Sequence, residues 1–596
     1  MDINHLTFLG NYLKILKHIS DSHFVAIDLE LSGVSVKTKN RRKQTLQERY
    51  VETKAAAEQY QILQVGLTCV EQVQDLGLDT YKYVVRPYNI QISPLIDERL
   101  DLERTFAFSS SAVEFLLSHS FDMAKPFYSG VQYLSRTEDD LAMKLAMDRL
   151  DRVQLDDIQL SPSDVDSIAF LDAIRSIVGA FVKSDDRVPY IDILSHDSFA
   201  KKQPEFGELG QFEKRLVHQL VRAEFPGYMT LGRRSSVRVQ RIDDSREASI
   251  RKSKKREIRD KIGRQTGFRW VMEALAADGN LQKLDGRLQH FAKNPVTGES
   301  GVVDIHDLNS RFHDAHQRLK KRTPVLVGHN CFTDMVYLYQ CFFGSLPDTV
   351  EEFQDALHAV FPCIVDTKYL ATHDCGDINP ISSLQETEEK LRLQAYPTLE
   401  TDELFGKYSN ADHGALLHEA GYDSYLTALI MVRLSTRLDV QASADNTTKE
   451  PEISDQTTDP KQPDVELFAV KSTKQQHKTQ ASSSRATLPS SAQSSASTPL
   501  TNSKCMPPFA DSFWQTYGNK LRVFGTAEGL CEVGPWEQEP LTSGSEDQWG
   551  AGGVSLDETA EWKPDDSGKD DDEAFAEDMS KVWNTVQRKT KGRRKA

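Results

Sequence analysis

The sequence predicts an α/β fold built on a mixed sheet, and three patterns in its 596 residues predict it. Apolar, β-branched runs near residues 24–31, 61–70 and 82–86 follow one another closely enough to pair as an antiparallel start. Two more, near Val325 and Ile364, are each followed by a helical pattern, which extends a sheet through α/β connections. Between these halves, from about residue 163 to 231, amphipathic patches such as Ile168–Phe181 and Phe212–Arg222 predict a small α/β insertion.

In the first run, Phe24 to Ile27 reads as a buried strand, and side chains two apart on a strand share a face, so Asp28 and Glu30 point together. Two neighbouring carboxylates repel unless a cation sits between them, which suits hard divalent metals; the alternative is a solvated pair at a strand end. From Thr323 the chain reads as a strand, a turn and the start of a helix running to about Phe343. Asp334 is the only formally charged residue between Val325 and Phe343. A carboxylate on so apolar a helix is costly to bury unless it is paired or metal-bound, and Asn330 is expected to supply the helix cap. His418 and Asp423 would stand roughly 140° apart on one continuous helix. His418 is therefore placed in an approach loop and Asp423 in the first helical turn, with Gly421 permitting the bend between them. That arrangement sets an imidazole beside a nucleophilic water. Cys363–Lys368 reads as a further core strand, and Asp366 as the residue that closes it and caps the next turn rather than as a metal ligand.

These residues sit in longer matching segments: Phe24-Val-Ala-Ile-Asp-Leu-Glu-Leu-Ser-Gly-Val34, Phe108–Leu116, Phe121-Asp-Met, Gly130–Leu134, Gly328-His-Asn330, Phe361-Pro, Asp366-Thr-Lys368 and His418-Glu-Ala-Gly-Tyr-Asp423. In that order, over roughly residues 1 to 435, the chain resembles the poly(A)-specific ribonuclease family of deadenylases, DEDD exonucleases whose last motif carries a histidine. The resemblance implies a ribonuclease H-like mixed sheet with flanking helices, interrupted by the insertion. It implies two divalent cations, Mg²⁺ or else Mn²⁺, held by Asp28, Glu30, Asp334 and Asp423, with His418 as general base for in-line attack at the 3′-terminal phosphodiester. Lys368 would lie near RNA phosphates, and Leu31, Ser32, Gly33 and Phe115 would line the groove for the terminal nucleotides. The implied partner is a single-stranded RNA 3′ end such as poly(A), and the family also implies a homodimer. Relatives carry an Arg-x-x-x-His signature in a nucleic-acid-binding insertion, where this chain has only Lys214-Arg-Leu-Val-His218.

The expected organisation is a nuclease half at 1–162, an insertion with a basic segment at 163–250, the second nuclease half at 251–440, a disordered linker at 441–505, a short module at 506–540 and a disordered tail at 541–596. Arg233 to Arg264 holds thirteen Lys and Arg against five Asp and Glu, in a chain of net charge −17. Within it Arg251, Lys252, Lys254, Lys255 and Arg256 either track RNA phosphates or form a solvated face, and the loop Lys37–Lys43 offers the same alternatives. The aromatic module at 506–540 is too short for an RNA recognition motif. It is expected to fold back on the nuclease or to bind a partner. The tail is acidic through Asp570-Asp-Asp-Glu573 and basic in Arg588–Lys595, either an import signal or an RNA-attracting end.

Seven cysteines without a Cys-x-x-Cys pair argue against a disulfide framework or a zinc site and for a nuclear or cytoplasmic setting. No apolar run approaches the roughly 20 residues of a membrane span, and the first residues lack a signal-peptide pattern. The function expected is a metal-dependent 3′-to-5′ exoribonuclease acting on poly(A) and releasing 5′-AMP. Two alternatives stay open: a 3′-end trimmer of small or structured RNA, and a catalytically silent RNA-binding scaffold.

Overall fold

The central sheet takes β1 (Asp2–Ile3), β2 (Phe24–Leu31), β3 (Ile62–Asp75), β4 (Thr80–Ser93) and β5 (Val131–Gln132) from the first half of the chain. The computed structural model describes residues 1–35, 43–75, 80–150, 157–184, 189–194, 209–281, 304–372, 382–409, 416–447 and 505–537. Most of the Lys37–Lys43 loop, nearly all of the expected linker and the whole tail lie outside the described residues.

An inserted three-stranded sheet contains β6 (Tyr190–Ile193), β7 (Tyr228–Gly232) and β8 (Val237–Arg241); the second half adds β9 (Val325–Gly328), β10 (Ile364–Asp366) and β11 (Thr398–Thr401) to the central sheet. The central order is β1-β4-β3-β2-β9-β10, with β5 and β11 also on β4. β3 lies antiparallel to both of its neighbours, β2 and β4, while β9 lies parallel to β2 and β10 parallel to β9. This is the mixed sheet that the order of apolar runs predicts.

Both faces of the sheet are covered, and the two-residue period of β2 sorts its side chains between them. Val25, Ile27 and Leu29 join a core with the helices His5–Asp21, Leu46–Gln59, Phe332–Leu338 and Val350–Val360. Phe24 and Ala26 join another with the long helix Ala420–Thr447. Each Val, Ile or Leu buried in this way contributes about 1.5–3 kcal/mol. Asp28 and Glu30, two and four residues beyond Ala26, therefore face the long helix.

β3 and β4 are longer than their apolar runs suggest, and they pair through to Asp75 and Thr80 at one end and Gln64 and Gln91 at the other. Pro87 made Arg86 look like the end of a strand. It is tolerated because it falls between the outer partners of β4, which pairs with β11 at 82–85 and with β1 at 89–90.

The insertion is a small α/β module. Its strands run in the order β6-β8-β7, and the helices Val165–Lys183 and Gln211–Glu224 pack on them through Phe170, Ile174, Val178, Leu216, Val217, Leu220 and Val221. On the second helix Lys214 Nζ donates to the Arg234 carbonyl, and His218 Nδ1 pairs with Thr230 Oγ1 at 2.6 Å. The helix Asp244–Thr266 then leaves the module. It runs straight through the expected 250/251 boundary, because Asp243 caps its start and it ends only at Gly267, which has φ 47°. A side chain at Gly267 would meet the Gln132 carbonyl at 2.1 Å, so the turn back into the nuclease requires glycine.

The residues 505–537 fold back on the nuclease, one of the two outcomes anticipated for this module. Met506, Phe509, Phe513, Trp514 and Trp536 join the core under the long helix. A hairpin of β12 (Lys520–Arg522) and β13 (Leu530–Glu532) follows. Asn519 satisfies the open edge of β10: its side-chain oxygen accepts from the Ile364 amide and its own amide donates to the Ile364 carbonyl, both at 2.8 Å. An edge strand left bare would be a template for unwanted pairing. No helix among the described residues is long and apolar enough to cross a membrane.

Candidate active site

Three elements deliver the acidic side chains to one place. The first is the end of β2, with Asp28 and Glu30 on the face toward the long helix. The second is the turn after β9. Gly328 lets Cys331 fold back so closely that an added Cβ would lie 2.4 Å from its side chain, and Asn330 adopts the left-handed conformation at φ 57°. This corrects the expected cap. Cys331 holds the cap position of Phe332–Leu338 with no side-chain hydrogen bond, while the Asn330 amide donates to Asp366 Oδ1 at 2.7 Å. Asn suits the turn because its short polar side chain tolerates that backbone region. Asp334 then falls in the first helical turn. Asp366 ties the region together, since it also accepts the Lys368 amide on Oδ1 and the Arg522 amide on Oδ2, each at 2.9 Å.

The third element is the start of Ala420–Thr447, which carries Asp423. The bend before it is made by His418 itself, at φ 65°, and not by Gly421. Gly421 lies within the helix, and its lack of a side chain serves close packing: a Cβ there would meet Tyr408 Oη at 2.5 Å and Asn89 at 2.6 Å. Beneath the helix a row of paired residues crosses three strands, Asp28 opposite Gly66 and Gly66 opposite Asn89. Gln64 Oε1 accepts the Ala420 amide at 2.8 Å and Asn89 Oδ1 accepts the Gly421 amide at 3.2 Å. Thr68 and Ser424 hydroxyls pair at 2.9 Å. Two amides at the helix start, which have no partner within the helix, are thus satisfied by the sheet. Sequence reading missed Gln64, Gly66 and Asn89; the available signal was polar residues and a glycine at alternate positions of strands otherwise buried.

Gly66 gives the first test. A Cβ there would lie 1.7 Å from the Ala420 carbonyl oxygen, so Gly66→Ala must push the helix start off the sheet and Asp423 away from Asp28. We expect a stability loss of about 1–3 kcal/mol or more and turnover reduced in the folded fraction. Thermal unfolding and turnover measured on one sample check this, and wild-type behaviour in both contradicts the packing.

The carboxylates act on one another electrostatically. Burial, then Asp423, Asp334 and Glu30, hold the Asp28 carboxyl well above its ordinary range. Burial, then Asp423 and Asp334, does the same to Glu30. Asp334 and Asp423 are each pushed up to about 7, burial being the larger cause in both. Glu30, His418 and Asp423 offer ligand atoms all within 4.8 Å of one another. Buried Asp423 Oδ1 has no hydrogen-bond partner. Four crowded carboxylates, an orphaned oxygen and one imidazole fit hard divalent cations such as Mg²⁺ or Mn²⁺. His418 stands inside this tight group, nearer to the carboxylates than a distant base would need to be.

His418 is flanked by two rings, Phe115 with centroids 4.7 Å away and His119 at 4.1 Å. Burial and then His119 lower the His418 pKa from its ordinary value, which favours the neutral ring. Phe115 is thus at the site and exposed, whereas His119 was not foreseen. Leu31 packs partly buried against the core, Ser32 donates to the Ala107 carbonyl, and Gly33 lies under the Tyr60 ring. Lys368 is buried, with its ammonium bonded to the Ser382 carbonyl. Arg251, Lys252 and Lys254 are exposed on the helix leaving the insertion, and Lys255 and Arg256 half-buried there.

The chain is similar to several named proteins. An uncharacterized protein of Schizosaccharomyces pombe is 26% identical over 449 residues, covering 72% of this chain and 92% of that protein. The poly(A)-specific ribonuclease PARN of Xenopus laevis is 24% identical over 456 residues, covering 74% of this chain but 63% of PARN's length. The pre-piRNA 3′-exonuclease trimmer of Bombyx mori is 24% identical over 447 residues, covering 73% of this chain and 71% of that protein. A solved structure of S. pombe Pop2p in its Mg²⁺- and Mn²⁺-bound form aligns over 72% of this chain and 89% of its own at 11% identity; its TM-score of 0.30 is too low to bear on the site. The family model described as CAF1 family ribonuclease matches residues 3–431, which takes in both nuclease halves and every carboxylate of the cluster. The chain therefore belongs to the CAF1 family of ribonucleases.

Proposed function

We propose that this ribonuclease is a metal-dependent 3′-to-5′ exonuclease that shortens poly(A) and releases 5′-AMP. The observation that carries the reading is the set of four carboxylates, buried Glu30 and half-buried Asp28, Asp334 and Asp423, that act on one another, with Glu30 and Asp423 beside His418. Those four would hold two divalent cations, which when bound activate water and stabilise charge on the leaving oxygen. His418, whose neutral form its surroundings favour, accepts the proton of the attacking water. Phe115 packs edge-on against His418. PARN relatives in several vertebrates support poly(A) as substrate. A 5′-labelled oligoadenylate incubated with Mg²⁺ should give a ladder that shortens from the 3′ end, and the same RNA blocked at its 3′ hydroxyl should survive. Cleavage of the blocked RNA at internal sites overturns the exonuclease reading.

A second reading, 3′ trimming of small RNA, is favoured by the similarity to the silkworm trimmer. Equal rates on oligoadenylate and on a mixed-sequence 3′ tail would select it.

The basic helix has its own test. If Arg251, Lys252, Lys254, Lys255 and Arg256 track the RNA backbone, changing all five to Gln weakens A-rich and mixed RNA alike, because phosphates carry no base information. The slope of log affinity against log salt becomes shallower by about 0.7 for each single-strand phosphate that the protein no longer neutralises. Superimposed salt titrations for the wild-type and five-Gln chains reject the role.

A further inference from the structure

The β12–β13 hairpin lies beyond the family match, which ends at residue 431, yet it reaches the sheet end that carries the site. Its strand β12 is tied there by the Arg522 amide on Asp366, the residue that also accepts the Lys368 amide. Its loop is tied from the other side. The Ala527 amide donates to the Gln44 carbonyl at 2.8 Å, and Glu528 accepts the Leu46 amide at 2.9 Å. Within the loop Thr526 Oγ1 accepts the Gly529 amide and donates to the Val523 carbonyl. A loop pinned at both ends and braced across its middle presents its side chains in fixed positions.

What it presents is an exposed aromatic ring beside a guanidinium. Phe524 is 43% exposed. The Arg522 guanidinium carbon lies 4.9 Å from the ring centroid and the Lys368 ammonium 5.8 Å from it. Arg522 Nε is buried without a hydrogen-bond partner. The acids near Lys368 are Asp366 and Glu386, and Arg522 opposes its charge. Asp366 is already occupied by three backbone amides, so its lone pairs do not serve the guanidinium.

We propose that Arg522 and Phe524 form a subsite for single-stranded RNA in which the guanidinium contacts a phosphate and Phe524 stacks on a base. Cations that track the backbone beside a ring that stacks on any base are the usual means of holding a single strand without reading its sequence. A rigid hairpin lowers the ordering cost of that contact. The subsite makes the C-terminal module part of the substrate groove rather than a cover for β10 alone. It rests on the RNA-cleaving reading given above.

The test uses the full chain. Wild-type turnover of 5′-labelled oligoadenylate is measured first, and its absence counts against the functional reading, not against the subsite. Phe524→Ala and Phe524→Leu should each raise KM about tenfold with kcat and thermal midpoint near wild type, and Phe524→Trp should leave KM near wild type. Leucine keeps the apolar packing, so wild-type KM in Phe524→Leu overturns the stacking role even if the alanine variant unfolds. Arg522→Gln, placed in an uncleaving Asp28→Ala chain, should make the salt dependence of oligoadenylate binding shallower by about 0.7 for each phosphate left without its cation. An unchanged slope there overturns the phosphate role, and that measurement stands whether or not the wild type cleaves RNA.

Discussion

Asp28→Ala is expected to abolish RNA cleavage while leaving RNA affinity nearly unchanged. Asp423, Asp334 and Glu30 all act on Asp28. Cations in such a site supply several kcal/mol of transition-state stabilisation, and at 1.36 kcal/mol per decade the loss is about 10³-fold or more. Single-turnover cleavage with the variant in excess measures it, and retention of more than a few per cent of wild-type rate contradicts the assignment. The same repulsion predicts a stability signature. Asp334 and Asp423 have folded values of about 7, against an ordinary carboxyl value near 4. Between those values the folded state keeps protons that the unfolded chain has released. The stabilisation this gives is complete below about pH 4 and lost as pH rises through about 7. Without metal, therefore, the thermal midpoint should fall between pH 5 and 8, and Mg²⁺ or Mn²⁺ should raise it more at pH 8 than at pH 5. Asp28→Asn should raise the metal-free midpoint at pH 8, by roughly 2–4 °C for each kcal/mol of repulsion relieved, and shrink the metal-induced shift. A metal-induced shift equal in Asp28→Asn and wild type separates the cations from these carboxylates.

The parts of this site that are legible in sequence are those set by local periodicity. Asp28 and Glu30 share a face because strand side chains alternate, and Asp334 stands out because nothing else on its helix is charged. The parts that are not legible depend on partners far away in the chain. Asn330 has the composition of a helix cap, but Asp366, 36 residues on, draws its amide into a left-handed turn. Gly421 looks like a hinge, yet its close approach to Asn89, 332 residues away, requires the glycine and leaves the bend to His418. Gln64 and Gly66 are marked in their own strand only as a polar residue and a glycine at alternate positions. They matter because the Ala420 backbone comes to rest on them. The length of β4 was hidden by Pro87, whose missing N–H is harmless only where the neighbouring strands happen to leave a gap. The docking of residues 505–537 followed from aromatic content, but its target, the edge of β10, is a property of sheet order alone.

His418→Ala separates a base from a merely structural imidazole. As general base, His418 contributes roughly 10²- to 10⁴-fold to the rate, so the variant should lose about that much in kcat with modest change in KM. The pH profile carries the sharper information. His418 works only when neutral, and burial followed by His119 lowers its pKa. The acidic limb of the wild-type kcat/KM profile should accordingly lie below the ordinary histidine value of about 6.5. Cations held by the adjacent carboxylates would push it the same way, because they too oppose a positive imidazole. Replacing His119 with Gln removes one of the two causes of the depression and leaves burial, so the limb should move upward while the maximal rate stays within a few-fold of wild type. In His418→Ala the limb assigned to this ring should vanish from what activity remains. A structural histidine predicts the opposite pattern, with a lowered thermal midpoint, near-normal turnover in the folded fraction and an acidic limb where it was. Measuring midpoint and pH profile on the same preparations decides between the two, and a full acidic limb in His418→Ala removes this residue from the proton transfer.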